Sequence, residues 1–289
     1  MKKALLSLHT AIFFAGFTGI LGRLITLNEG LLVWWRLFIS VIAIAIIFLY
    51  TGYFRKINNR LLWRLLGVGA VVGLHWVFFY ASIKYANVSV ALVCFSAIGF
   101  FSAFFEPLIF RRRIDWLEVL YGALAILGIW LIFQFDKQYK TGVILGIISS
   151  LLAALFPVFN KKLLVQISPK DLTFYELTGG LILLTLCLPV YLYFFPVTSI
   201  IPSLSDFLWL TVLSLVCTVM AFNLSLHGLK KISAFTVNLS YNLEPVYGIL
   251  LAFLIYKENR YLNSSFYYGM LLITLAVVLQ TLRLYYIRK

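Results

Sequence analysis

Acidic residues are scarce in this chain: Asp and Glu together fill 10 of 289 positions, against 24 Lys and Arg. Charged residues of both signs make up 12%, about half the share of an ordinary soluble domain. Cysteine and histidine are also rare, with three of each. Cys94, Cys187 and Cys217 fall inside apolar runs at no ligand spacing, so they read as small packing residues rather than as disulfide or metal partners. The position five residues after His9 is Phe14, and five after His75 is Tyr80, so no HxxxxD motif exists. HExxH and glycine-rich phosphate loops are missing too. The expectation is no catalytic residue, no cofactor and no metal. Long polar stretches are lacking as well. The longest, near 52–61 and 196–205, run about ten residues and leave no room for a soluble domain.

What the chain does have is apolar surface. The hydrophobic fraction is 63% and the mean hydropathy is +0.99. A helix needs about 20 apolar residues to cross some 30 Å of hydrocarbon. Ten such spans can be drawn, near 4–25, 31–51, 62–84, 88–110, 117–134, 142–164, 172–195, 206–229, 233–256 and 264–287. Seventeen of the 24 Lys and Arg fall in the two termini and alternate loops, including Arg111–Arg113, Lys161, Lys162, Lys230 and Lys231. The opposite loops hold Arg23, Lys84, Lys137, Lys140, Lys257 and Arg260, and Arg36 lies inside the second span. Loops retained in the cytoplasm are the ones rich in Lys and Arg. The bias therefore predicts both termini in the cytoplasm and placement in the inner (plasma) membrane. The net charge of +14 is spread over these loops, where anionic lipid attracts it, and implies no nucleic-acid partner. Lys2 and Lys3 before an apolar run resemble a signal peptide, but the run is long and no A-x-A-like site follows.

The chain also resembles itself. Phe17–Leu24 can be laid on Phe156–Leu163, Trp34–Leu37 on Phe174–Leu177, and Tyr121-Gly122 on Tyr268-Gly269, in the same order. Glu106-Pro107 and Glu244-Pro245 look equivalent, but their spacing breaks this register, which sets Gly99 opposite Pro245. Five spans per half is odd, so the second half is expected upside down. Inverted repeats with a midplane site between them characterise secondary transporters. Gly69-x3-Gly73 and Gly142-x3-Gly146-x3-Ser150 are spaced for close helix packing.

Residues that carry a family likeness lie mostly in the second half: Gly228-Leu-Lys-Lys-Ile-Ser233-Ala234, Glu244-Pro245-Val246 and Tyr256-Lys257-Glu258. In the first half, Tyr80-Ala-Ser-Ile-Lys84-Tyr85-Ala86-Asn87-Val88-Ser89 is the equivalent of the small-residue–loop–Ser-Ala pattern. On these residues the whole chain resembles an EamA-type transporter of the drug/metabolite transporter (DMT) superfamily. It departs from that pattern at Gly99, in place of a mid-helix Pro, and at Arg112, in place of a terminal Glu. The resemblance implies an all-α polytopic membrane protein of ten transmembrane helices, arranged as two inverted five-helix repeats around a central cavity. The repeats are placed at 1–135 and 139–289. It further implies export of amino acids or other small metabolites.

Ionisable groups within a bilayer are costly, so each demands an explanation. Glu244 lies near the middle of the ninth span, and Pro245 beside it frees a carbonyl one turn back. A carboxylate there can bind an ammonium, or a proton in alternation with substrate. Asn238, Tyr241 and Glu244 or Asn242 follow at three- and four-residue steps and share a face. His75 lies near midspan with Trp76 beside it and Tyr80 a turn on; it suits proton relay or a hydrogen-bonded packing role. Arg36 can hold a carboxylate, or form a structural pair. Pro245 and Gly99 are the expected hinges. Glu176, the repeat mate of Arg36, sits at the opposite depth, so a gate between the two is not expected. Glu106 reads as a partner of the Arg111–Arg113 loop, and His9, His227 and Asn160 as secondary candidates.

The reading is a secondary transporter working by alternating access, with residues 1–135 rocking against 139–289. Its partners are a small-molecule metabolite and membrane lipid, with protons an open question and oligomeric state unassigned. A lipid or lipid-linked-substrate flippase of the same fold is the alternative, and an integral membrane enzyme the alternative from a different class.

Overall fold

A computed structural model describes residues 2–53, 57–135, 139–241, 243–260 and 262–287. All regular structure among them is helical. In chain order the helices are α1 (Lys2–Ala15), α2 (Thr18–Leu24), α3 (Glu29–Thr51), α4 (Asn59–Tyr85), α5 (Val88–Phe95), α6 (Ile98–Phe110) and α7 (Trp116–Phe135). The second half holds α8 (Lys140–Leu163), α9 (Pro169–Phe194), α10 (Leu204–Ser214), α11 (Ala221–Lys231), α12 (Ala234–Ser240), α13 (Leu243–Tyr256) and α14 (Ser264–Ile287). A π-helical turn, Leu215–Met220, joins α10 to α11. Eight segments, some made of two helices in line, are long and apolar enough to cross a bilayer. α7 and α14 add shorter apolar stretches, Trp116–Leu131 and Ser264–Ala276.

Local sequence sets most helix starts. Asn28, Asn58, Asn87, Ser168 and Ser203 cap α3, α4, α5, α9 and α10, each side-chain oxygen accepting from the backbone N–H three residues on. Gly52 ends α3 at φ 63°, a left-handed conformation glycine takes without strain.

Three spans are broken in the middle. Between α12 and α13 the cause is Pro245. It has no N–H for the carbonyl of Tyr241, four residues back, which accepts from Glu244 N at 2.9 Å instead. Between α5 and α6 the chain tightens at Ser96 and Ala97, whose N–H groups reach back three residues, to Val93 and Cys94. Gly99, the expected hinge, lies just beyond this break, as the second residue of α6. Between α1 and α2 the break falls at Gly16-Phe17, where Gly16 touches the backbone of α13 at Gly248. Pro107, by contrast, sits within an unbroken α6.

The two halves interlock. α4 lies along α8 and α9, α1 along α11, α7 along α14, and α3 along α9 and α10. α4 and α9 cross backbone to backbone. A Cβ on Gly69 would collide with the carbonyl of Glu176, one on Gly73 would lie 3.2 Å from Gly180 Cα, and one on Gly180 2.9 Å from the Gly69 carbonyl. Gly142 and Gly146 press likewise on Ser82, Ala86 and Cys94. Gly69→Ala should cost about 2–3 kcal/mol or more, because neither backbone has a side chain to move aside. A lowered melting temperature in detergent, with Gly67→Ala as control, checks this, since a Cβ at Gly67 meets nothing. Near the basic end, Arg283 of α14 bonds Asp115 before α7 at 2.5 Å, which holds that carboxyl below the usual carboxylate range.

Candidate functional site

All three breaks and the π-helical turn border one central cavity. Its wall includes Ala15 and Thr18, Phe95 and Ile98, and Tyr241 and Glu244, pairs that flank or adjoin the three breaks, together with Cys217 from the π turn. Irregular backbone at membrane depth is tolerated where it lines such a space. The cavity offers about 80 Å³ to the centres of water molecules, room for several waters or one compact solute.

Arg36 and Glu244 are the ionic groups on this wall, and they are 2% and 5% exposed. Arg36 donates from Nε to Thr218 Oγ1 at 2.6 Å, from one terminal nitrogen to Tyr80 Oη at 2.8 Å, and from the other to the Cys217 carbonyl at 3.5 Å. Its guanidinium lies 3.8 Å from the ring centroid of Trp76. The π turn positions Thr218, whose hydroxyl donates five residues back to Leu213 O at 2.8 Å and accepts from Arg36. Two of the five N–H donors of Arg36 therefore lack a protein acceptor among the described residues. Glu244 is the second residue of α13, at the positive end of that helix. The one hydrogen-bond contact of its carboxylate in the described structure is Thr18 Oγ1 at 3.4 Å, and that hydroxyl also lies 2.6 Å from the Ala15 carbonyl. A hydroxyl has one proton and the shorter contact claims it. Arg36 and Glu244 form no ion pair with each other.

Aromatic rings fill the space around them. His75 is buried among Phe79, Phe95 and Phe156, with ring centroids 5.7–6.2 Å away. Its Nδ1 lies 2.9 Å from both the carbonyl and the hydroxyl of Ser149, which anchor the ring to α8. Asn238 ties α12 to α6 and α8 through Nδ2, bonded to Ser102 Oγ at 2.6 Å and to the Ala154 carbonyl at 3.4 Å, while its Oδ1 has no partner.

Of the residues singled out in the sequence, Arg36, His75, Trp76, Asn238, Tyr241 and Glu244 come together on this wall. Tyr80 does not reach it; it is fully buried behind Arg36 and acts on the cavity through that guanidinium. Asn242 lies outside the described residues. Asn160 lines the cavity and donates to the buried Glu176 at 3.0 Å. Glu106 is buried on α6 away from the cavity, within electrostatic reach of Lys161. His9 and His227 are exposed. Cys94 and Cys217 are buried free thiols, whereas Cys187 is an exposed one. Thr18, Cys217 and Thr218 were not marked by the sequence.

At the opposite end from the basic loops, a polar latch spans several helices. Glu258 accepts from Arg23, from the N–H groups of Val88 and Ser89 at 3.2 and 2.9 Å, and from Ser89 Oγ at 2.5 Å. Nearby, Lys84 donates to the Leu27 carbonyl, and Thr26 bonds Asp206 through both backbone and side chain.

A sequence profile of the EamA-like transporter family matches residues 2–134 and again 140–282. The chain therefore belongs to that family, within the DMT superfamily, and is a multi-pass membrane transporter by class. An uncharacterized transporter, sll1319, of Synechocystis sp. is 24% identical over 235 residues, covering 78% of this chain and 68% of that protein. One crystal structure superposes with a TM-score of 0.71 over the full length of both chains at 16% identity, a likeness of fold alone.

Proposed function

We propose that this protein is a carrier for a small zwitterionic metabolite, an amino acid or related compound, and that it works by alternating access. The observation that carries this reading is the pair Arg36 and Glu244: opposite charges on one cavity, each desolvated and not in direct contact with the other. A buried guanidinium with donors to spare suits a carboxylate, and a carboxylate with one long contact suits an ammonium. A zwitterion satisfies both at once. Trp76, Phe156 and Phe222 give its side chain an apolar lining.

A two-fold arrangement of five spans per half is supported by the packing, and the odd number of spans per half makes it an inverted one in this reading. Exchanging each of the first five spans for its counterpart in the second half maps α4 on α8 into α11 on α1, and α7 on α14 into itself. Alternation is read as bending at the three breaks, since the glycine crossing of α4 with α9 holds 1–135 and 139–289 together. Residues 1–135 and 139–289 are the two repeats in this reading. The loop charge bias supports cytoplasmic termini.

Solute counterflow in proteoliposomes, with a labelled amino-acid panel, tests the function. Trans-stimulated exchange of zwitterions is the expected result. No exchange of any polar solute, together with lipid scrambling, would replace this reading with the flippase. The latch gives a second expectation. Glu258→Gln should loosen the end near Arg23 and raise labelling of a cysteine at Ala91, in an otherwise cysteine-free background, by an impermeant maleimide. Unchanged labelling would show that this end is not the barrier.

A further inference from the structure

We propose that Glu176 and Asn160 form a proton-carrying acid–amide pair beside the substrate cavity, through which protons exchange against solute. The coupling half of this proposal rests on the carrier reading above.

Glu176 is fully buried on α9, at the glycine crossing with α4. Asn160 Nδ2 donates to its Oε2 at 3.0 Å. The remaining oxygens of the pair, Glu176 Oε1 and Asn160 Oδ1, are both buried and without a hydrogen-bond partner. They are two acceptors lacking a donor. A single proton on Oε1 supplies it: the acid O–H donates to Asn160 Oδ1 while Asn160 Nδ2 donates to Oε2, closing a two-bond ring. An ionised carboxylate at this place would be desolvated with one amide for compensation, which disfavours the charged form.

No ion-pair partner for Glu176 is present among the described residues. The ionisable groups on the elements packed around it are engaged elsewhere. On α3 Arg36 is held by Tyr80 and Thr218, and on α4 His75 is held by Ser149. On α8 Lys161 donates to the carbonyls of Leu229 and Ile232, and Lys162 to that of Ile109. On α9 Asp171 accepts from Ser168, and on α11 His227 bonds the Asn223 carbonyl. Arg60, Arg64, Lys170, Lys230 and Lys231 are exposed, and Tyr175 is partly so. Glu29, Lys84 and Lys140 lie at the far ends of their helices.

Asn160 is shared between this pair and the cavity wall. With Glu176 protonated, its amide oxygen is occupied. With the proton released to water, that oxygen is left to accept from a solute in the cavity. Proton and solute then compete for one acceptor, and the carrier exchanges the two.

Infrared titration of the purified protein tests the pair directly. A protonated carboxyl C=O band should persist at neutral pH, vanish in Glu176→Gln, remain in Glu244→Gln, and move to the frequency of an unbonded acid in Asn160→Leu. A band indifferent to Glu176→Gln overturns the proposal. In proteoliposomes, an imposed pH gradient should speed wild-type solute accumulation about tenfold. Glu176→Gln, whose amide reproduces the protonated ring and so keeps the Asn160 oxygen occupied, should weaken solute counterflow severalfold and lose that response. A full response in Glu176→Gln, or acceleration by sodium rather than protons, also overturns it. Absence of counterflow in the wild type would sink the carrier reading alone, because the infrared result stands by itself.

Discussion

Glu244→Gln is expected to lower the apparent affinity for a zwitterionic solute on the order of a hundredfold, equivalent to about 3 kcal/mol, while leaving the melting temperature almost unchanged. Gln has the shape of Glu and keeps the carbonyl oxygen near Thr18. What it loses is the negative charge facing an ammonium inside a desolvated wall. A cycle isolates the contact. Wild type should lose the same hundredfold toward an analogue lacking the amine, whereas Glu244→Gln should be indifferent to that change. If both proteins lost affinity equally for the deaminated analogue, Glu244 would not be the residue that holds the ammonium.

Arg36→Lys is expected to be at least as damaging, and in two observables rather than one. Lysine keeps the charge but cannot form the flat fork that meets Thr218, Tyr80 and the Cys217 carbonyl together, and it stacks poorly on Trp76. Counterflow should fall below detection, and stability should drop by about 2–4 kcal/mol because Tyr80 and Thr218 lose a buried charged partner. The expected signature is therefore loss of transport with a lowered melting temperature, against transport loss alone for Glu244→Gln. An Arg36→Lys protein that melts like wild type and exchanges solute normally would remove Arg36 from the site.

The charged and amide groups of the cavity wall were readable from the sequence because such groups in apolar spans are conspicuous. Arg36, Asn238 and Glu244 each interrupt a run that membrane insertion otherwise keeps clean. Pro245 signalled its break because proline removes a donor wherever it sits. The other breaks carry no such mark. Those at Gly16-Phe17 and Ser96-Ala97 contain no proline, so the sequence points neither to Thr18 nor to a kink just before Gly99. The π turn is also silent in sequence, and with it went Cys217 and Thr218. Tyr80 shows the limit of periodicity. It shares a face with Trp76, but the guanidinium of Arg36 comes between it and the cavity. Glu176 was assigned its depth but not its partner, since Asn160 reaches it only through the antiparallel turn from α8 to α9.

The interlacing of α4 with α8 and α9 also orders the birth of the molecule. Synthesis delivers α4 to the bilayer well before its counterparts exist, so its glycine stripe first faces lipid. Arg36 likewise waits for Thr218 and Cys217, which arrive some 180 residues later. The first half is therefore a nascent chain with an open seam and an unquenched cation, dependent on its own C-terminal portion as a chaperone. Ribosome pausing or truncation between α7 and α8 would leave that intermediate stranded, and surveillance proteases of the membrane would meet it first.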